Sequence, residues 1–387
     1  MDRFERIDVC GLSYPAGPLA AEKWGTDEHG LLITLRSSDG VEGRALIRCH
    51  LGTSFRTLVE YFVDPLADRI LGRDVHRDTV EAVWRTLLRL YRAQYLPLWP
   101  VSAIDVAAWD LLGQACGQPV RRLLSDTAAD SVLAYSSIPR YDDAQAGIDD
   151  AVTTRNLGYR AIKVHTCGDV SVDLALTEGV ARALNEPGTV MFDGSKRLSQ
   201  AEARAIAHML SGVGGLWLEE PFDPYDHRMH AELVAASDVP IIGFETAPGG
   251  PEAAAWAVEH GNMEGVLIDC NWKAGISGAL ETHRVVSAAG GQVVMHHGGS
   301  STMNIANMQL VAALADVEMV ELLTPVDQYN QGQLVPRPGF SGPVELNSLP
   351  GLGQVWDEEW LSAHEIAHSR DHRTSASVHP VGGRGNF

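Results

Sequence analysis

Cysteine is scarce in this 387-residue chain: Cys10, Cys49, Cys116, Cys167 and Cys270, an odd number with no Cys-x-x-Cys pair among them. That scatter argues against a disulfide framework and against a zinc site. Buried packing is the expectation for Cys167 and Cys270, which fall just past strand ends. Long apolar runs are also missing. None approaches the roughly 20 residues that cross a bilayer, and the opening MDRFERIDV lacks a signal peptide's apolar core. A cytoplasmic protein with no membrane partner is expected. Basic charge is short as well, 30 Lys and Arg against 50 Asp and Glu for a formal net charge of −20. Without a basic stripe, nucleic acid and anionic membrane surfaces are poor partners. A small molecule is the expected one.

The length exceeds the usual single-core limit and suits one barrel of ~250 residues plus a smaller domain. From Ile7 to about Cys49 the pattern is β, with a hairpin turn at Ser38-Asp39-Gly40. Gly11 to Gly30, containing Tyr14, Lys23 and Trp24, reads as a surface loop or lid. Amphipathic helices follow around residues 55–70 and 80–90, and a third begins after Pro100 with Ser102 as N-cap and Asp105 as its partner. Its alanine-rich, all-apolar body belongs at a domain junction.

From Ser131 onward strand and helix alternate. Eight strand candidates are Val132–Ile138, Ala161–His165, Val190–Asp193, Leu216–Glu219, Ile241–Glu245, Val266–Asp269, Gln292–His297 and Met319–Leu323. The expected fold class is α/β, a (β/α)8 TIM-like barrel with an N-terminal α+β capping domain. The expected division is 1–125 for the cap, 126–345 for the barrel and 346–387 for a segment returning to the cap. Its last residues, HSRDHRTSASVHPVGGRGNF, predict a mobile tail.

Three strands end on an acid: TVMFD at Asp193, GLWLE at Glu219 and PIIGFE at Glu245, 26 residues apart in both steps. That interval is about one βα unit, so the acids occupy equivalent positions on consecutive strands and converge at the carboxyl rim. Carboxylates so placed repel one another without a cation between them, and an all-oxygen donor set favours Mg²⁺ over zinc or copper. Alternation puts Lys163 and His165 on one face of the second barrel strand. The sixth strand ends at Asp269 and the seventh at His296-His297, the arrangement of a His–Asp pair for general acid–base work. Glu321 on the eighth is a candidate to accept a hydrogen bond from substrate or to cap. Ser300-Ser301-Thr302 offer hydroxyls and a possible helix N-terminus for an anion.

The order Lys163, Asp193, Glu219-Glu220-Pro221, Glu245, Asp269, His297, behind a domain carrying VSAIDVAAWD, resembles the enolase superfamily over about residues 5–355. The Asp–His pair is similar to that of its mandelate racemase group, which includes many acid-sugar dehydratases. The resemblance implies Mg²⁺ held by Asp193, Glu219 and Glu245 with Glu220 supporting them, a small carboxylate substrate whose α-proton is removed, and a homo-oligomer. Metal and nearby cations would stabilise the resulting ene-diolate.

Catalytic candidates are Lys163, His165, Asp269 and His297; Tyr14, Trp24, Ser195, His296 and Glu321 are candidate substrate contacts. Departures from the group are His165 in place of a second Lys, Ser195 in place of Asn, and the adjacent histidines. Of these, His297 is preferred as the inward one because Gly298 follows it. Dehydration of a sugar acid is the expected reaction. A racemase or epimerase of a 2-hydroxy acid, a lactone cycloisomerase and a non-catalytic binding protein of the same fold are the alternatives.

Overall fold

The computed structural model describes residues 2–17, 27–49, 55–94, 98–247, 249–329, 331–335 and 343–374. Strands β1 (Phe4–Pro15), β2 (Asp27–Ser37) and β3 (Glu42–Cys49) form an antiparallel sheet, with β15 (Glu365–Thr374) on the free side of β1. The hairpin turns where Ser38-Asp39-Gly40 predicts: Gly40 adopts φ 83°, which its missing Cβ permits, and its N–H donates to Ser37 O at 3.0 Å.

The described ends of the expected loop from Gly11 are mostly strand. β1 continues to Pro15, and Tyr14 pairs with Glu28 of β2. Tyr14 is buried against Trp360, ring centroids 5.7 Å apart, so it is a core residue of the cap and not a lid residue. The reason is a second apolar face: Cys10, Leu12 and Tyr14 alternate with Ile7 and Val9, and the C-terminal helix Glu358–His364 covers them. Lys23 and Trp24 lie outside the described residues.

Helices α1 (Arg77–Gln94) and α2 (Trp99–Cys116) pack on the other face of the sheet. Apolar all round, α2 is buried from Trp99 to Gly113 and ends at Gly117, φ 64°. Ser102 is not its N-cap, because the helix starts at Trp99. Instead its polar residues reach the barrel: Ser102 Oγ donates to Asn271 O at 2.7 Å, and Asp105 accepts from Ser277 N at 2.9 Å and Oγ at 2.6 Å. Trp109 Nε1 also donates to Ser277 Oγ, at 2.9 Å.

Burial pushes the Asp105 carboxyl up to about 7 despite those Ser277 bonds. Between its ordinary value and 7 the folded chain holds a proton that the unfolded chain has lost. Stability therefore falls as pH rises from about 4 to 7. Asp105→Asn should flatten that part of the stability profile in urea melts taken across the window; an unchanged slope would remove Asp105 as its source.

The barrel strands are β4 (Ser131–Ser137), β5 (Ile162–His165), β6 (Val190–Asp193), β7 (Leu218–Glu219), β8 (Ile241–Gly243), β9 (Gly265–Ile268), β10 (Gln292–Met295) and β11 (Met319–Leu323). They run parallel in the order β10-β9-β8-β7-β6-β5-β4-β11, and the end strands touch to complete the ring. Seven helices connect them, from Ala144–Asn156 to Ser301–Ala313. After β11 the chain passes through a 3₁₀ turn, Val326–Tyr329, and returns by β12 (Gln333–Val335), β13 (Val344–Glu345), β14 (Val355–Trp356) and Glu358–His364 to β15.

Tyr135, Ala161, Met191, Trp217, Ile242, Leu267 and Val294, five of them within strands and Ala161 and Trp217 just before β5 and β7, fill the barrel interior as one apolar layer. Period-2 alternation then sends the residue two positions further along each strand to the same interior, one layer nearer the carboxyl rim. This rule places the site.

At the C-terminus, residues 368–374 of the expected mobile tail belong to β15, with Cys10 opposite His368 and Val9 opposite Ser369. An edge strand with an exposed face carries polar residues, so the missing apolar periodicity misleads there. Residues 375–387 lie outside the described residues.

Candidate active site

Two positions past the apolar layer stand Ser137, Lys163, Asp193, Glu219, Asp269 and His296. Lys163 and Glu219 are about 1 % exposed and Glu321 is fully buried, a depth at which charge persists only when paired. Lys163 Nζ lies 2.5 Å from Glu219 Oε1 and 2.8 Å from Glu321 Oε1. Burial works against the ammonium, but Glu219, Glu321 and Asp193 raise it well above its ordinary value. Glu321 Oε2 accepts from His297 N at 3.1 Å and sits 3.1 Å from the Tyr135 hydroxyl. Contrary to expectation, Glu321 is thus the counter-ion of Lys163, with both oxygens engaged inside the protein. Lys163→Met should cost about 3–5 kcal/mol by leaving two carboxylates without their cation. Thermal and urea denaturation read this directly, and an unchanged melt would show that the pair carries no stability.

Asp193 and Glu219 are direct cross-strand neighbours on β6 and β7, but Glu219 stands opposite Ile242 of β8, three residues before Glu245. The three acids are therefore not in equivalent positions. Phe244 explains how Glu245 is still presented: its φ of 70° turns the chain after Gly243. Ser195, Lys196 and Glu220 also take positive φ, at 48°, 63° and 40°, so left-handed non-glycine backbone clusters on three successive βα turns. Glu220 Oε1 accepts from Glu245 N at 2.9 Å and pins that turn. Ser195 N donates to Asp193 Oδ1 at 2.6 Å, while Ser195 Oγ accepts from Arg140 at 3.1 Å.

His296, not His297, meets Asp269: Nδ1 lies 2.9 Å from Asp269 Oδ2, and Nε2 points to Glu245 Oε1 at 3.5 Å. Alternation dictates it, since Val294 faces the interior and His296 is two residues on. His297 is turned to the turn that follows, where Nδ1 accepts from Gly299 N at 3.1 Å. Burial lowers His296, yet Glu245, Glu321 and Asp269 outweigh it and hold the imidazole up at about 10. His297 is pushed well below the ordinary value by burial and by His296 beside it. His165 Nδ1 lies 2.9 Å from Ile138 O, an oxygen that only accepts, so Nδ1 carries the proton. Its Nε2 faces Asp193 Oδ2 at 3.4 Å and Ser137 Oγ at 3.3 Å, and burial lowers its pKa.

Sequence reasoning missed Lys273, Lys196 and Arg140. Lys273 Nζ donates to Phe244 O, bracing the left-handed turn before Glu245. Burial brings its ammonium down to about 8 against the pull of Asp269, Glu220 and Glu245. The available signal was a lysine four residues past Asp269, inside a βα turn. Lys196 reaches Glu220 Oε2 at 3.5 Å. Ser300, Ser301 and Thr302 do not form an anion site: Ser300 Oγ donates to Leu46 O at 2.7 Å, Ser301 Oγ to Gln331 O at 2.6 Å, and Thr302 Oγ1 accepts from Leu46 N at 3.1 Å. Two of these hydroxyls fasten cap strand β3 onto the barrel rim.

The donor chemistry of Asp193, Glu219 and Glu245 suits a hard cation. Burial, with Asp193 and Glu321 adding to it, raises the Glu219 carboxyl although Lys163 opposes it, the response of a buried acid cluster to which added positive charge is favourable. Among the described residues these three carboxylates do not bring one oxygen each within 4.8 Å of one another. Glu219 is turned to Lys163 and Glu245 to His296, and a shared ion requires both to turn inward.

Residues 148–360 match the family model described as enolase C-terminal domain-like, and residues 23–125 match the mandelate racemase / muconate lactonizing enzyme N-terminal domain. The chain belongs to the enolase superfamily. Within it, this mandelate racemase-like chain is 26% identical over 301 residues to the D-galactarolactone cycloisomerase of Agrobacterium fabrum, covering 73% of this chain and 79% of that one. It is 23% identical over 306 residues to the arabinonate dehydratase of Saccharolobus solfataricus, covering 75% and 79%. Among solved structures, an enolase from Bradyrhizobium complexed with magnesium and mandelic acid superposes with a TM-score of 0.80 at 23% identity, covering 95% of this chain and 99% of that one. Muconate lactonizing enzyme from Pseudomonas fluorescens, complexed with muconolactone, gives 0.80 at 21% identity, covering 94% and 99%. These likenesses establish the fold; the roles of individual residues rest on the geometry above.

Proposed function

We propose that this enolase-superfamily chain is a Mg²⁺-dependent acid-sugar dehydratase, removing the α-proton of a sugar acid and then its β-hydroxyl to leave a 2-keto-3-deoxy acid. The observation that carries the reading is the pair of imidazoles at either end of the acid cluster, His165 beside Asp193 and His296 beside Glu245. Asp193, Glu219 and Glu245 would hold the metal, with Glu220 fixing the Glu245 turn. Bound there, Mg²⁺ supplies positive charge at the substrate carboxylate, which makes the adjacent carbon's proton more acidic.

Lys163 does not serve as the base, because it is buried and fixed between Glu219 and Glu321. Its ammonium instead adds positive charge to the floor of the site. His165 keeps its proton on Nδ1 and turns Nε2 inward, which supports His165 rather than Lys163 as the second proton-transfer group. His296 is oriented by Asp269 and presents Nε2. One imidazole takes the α-proton and the other protonates the departing hydroxyl. Arg140, hydrogen-bonded to Ser195 and to Thr166 O, stands at the turn that follows Asp193 as a cation for substrate hydroxyls or a second carboxylate. The arabinonate dehydratase and the lactone cycloisomerase among the relatives support a sugar-acid substrate.

The test is to incubate the Mg²⁺-loaded protein with a panel of aldonic and aldaric acids and their lactones, following 2-keto-3-deoxy acid by its semicarbazone absorbance. Keto acid from at least one member is expected. Epimerised acid or opened lactone without keto product would replace dehydration by the corresponding isomerisation.

A further inference from the structure

The cap domain holds a second constellation of metal-ligating groups, remote in sequence from every acid of the barrel site. Cys10 on β1 stands directly opposite His368 on β15, and Glu365 begins the same strand. One donor atom each of Cys10, Glu365 and His368 lies within 4.8 Å of the other two, with His368 Nδ1 at 3.3 Å from Glu365 Oε2. Cys10 is buried, whereas Glu365 and His368 are exposed. All three line a cavity of about 490 Å³ between the outer face of the cap sheet and the helix Glu358–His364. We propose that Cys10, Glu365 and His368 bind a borderline divalent transition ion of the Zn²⁺ type, clamping the returning C-terminal strand to the first strand of the chain.

A thiolate, an imidazole and a carboxylate form a mixed sulfur, nitrogen and oxygen set, which selects zinc and its neighbours over the hard Mg²⁺ suited to the barrel acids. Three protein ligands leave one tetrahedral position, and the cavity gives that position access to water. Arg6 and Arg36 also line the cavity, and Asp8 offsets them at 3.7 and 3.2 Å. The antiparallel pairing of β1 and β15 fixes Cys10 and His368 side by side before any ion arrives. The conformational freedom lost by two side chains on binding is correspondingly small.

The experiment titrates the full chain with Co²⁺, a spectroscopic substitute for zinc, and reads the near-ultraviolet thiolate-to-metal charge-transfer band. A saturable band is expected in the wild type, removed by Zn²⁺ but not by excess Mg²⁺. It should be lost in Cys10→Ser and in His368→Ala, and weakened in Glu365→Gln. His368→Ala alters an exposed residue, so it remains informative if Cys10→Ser fails to fold. No band in the wild type, or the same band in Cys10→Ser or in a folded His368→Ala, would overturn the proposal. The barrel acids carry no thiol, so neither outcome depends on their function.

Discussion

Glu245→Gln lowers kcat by about 10²–10³ and leaves the melting temperature nearly unchanged. Glu245 is the most accessible of the three rim acids, with a side chain 21% exposed, and its side-chain contact is His296 Nε2 at 3.5 Å. Little stability depends on it. Its position, by contrast, is prepared at length: Phe244 turns left-handed, Glu220 holds the Glu245 N–H, and Lys273 holds the Phe244 carbonyl. Such preparation around a half-buried carboxylate points to function. The isosteric amide removes one negative charge from the donor set, so metal affinity falls as well, and excess Mg²⁺ recovers only part of the loss. In the wild type, EDTA should abolish turnover and Mg²⁺ should restore it. Steady-state rates across Mg²⁺ concentrations, beside a thermal melt of each protein, check both statements. Full activity in chelated wild type would end the metal-dependent reading.

His296→Asn lowers kcat by about 10²–10⁴, and His297→Asn does far less. The two rings are adjacent, with centroids 4.0 Å apart, yet only His296 is joined to Asp269 and aimed at Glu245. The link from His297 to the acid cluster is its backbone N–H, donated to Glu321, which substitution preserves. Asp269→Asn should reproduce most of the His296 loss, because an amide no longer fixes the tautomer or supports the charged imidazole. Parallel kinetics of the three variants decide the matter. A larger loss in His297→Asn would return the pairing to the one that the Gly298 analogy suggested.

Much of this site is legible because a barrel strand has period 2. Asp193, Glu219 and Asp269 end apolar runs and emerge where those runs predict, and Lys163 and His165 share a face. His296 was legible too, once Val294 is taken as the inward residue. Analogy with a following glycine pointed to the wrong neighbour because it ignored that parity. Glu245 breaks the parity, and only the left-handed Phe244 shows how. No local pattern announces such a conformation for phenylalanine. Tyr14 and residues 368–374 were misread for one shared reason: each belongs to a strand whose second face depends on an element far away in sequence. For Tyr14 that element is the helix Glu358–His364, and for β15 it is β1. Ser102 and Asp105 have the spacing of a helix cap but bond across the domain junction, a choice fixed by tertiary contact alone.

The division of proton abstraction and hydroxyl departure between His165 and His296, as proposed, is open to direct measurement. With the substrate found by screening, wild type, His165→Asn and His296→Asn are run in D₂O, and α-deuterium incorporation and keto acid are followed separately. Both variants should lose keto acid. Only the one lacking the base should also lose α-deuterium exchange, while the other continues to exchange. Wild-type enzyme that incorporates deuterium with inversion and forms no keto acid would contradict the account and make the two histidines the opposed bases of a racemase.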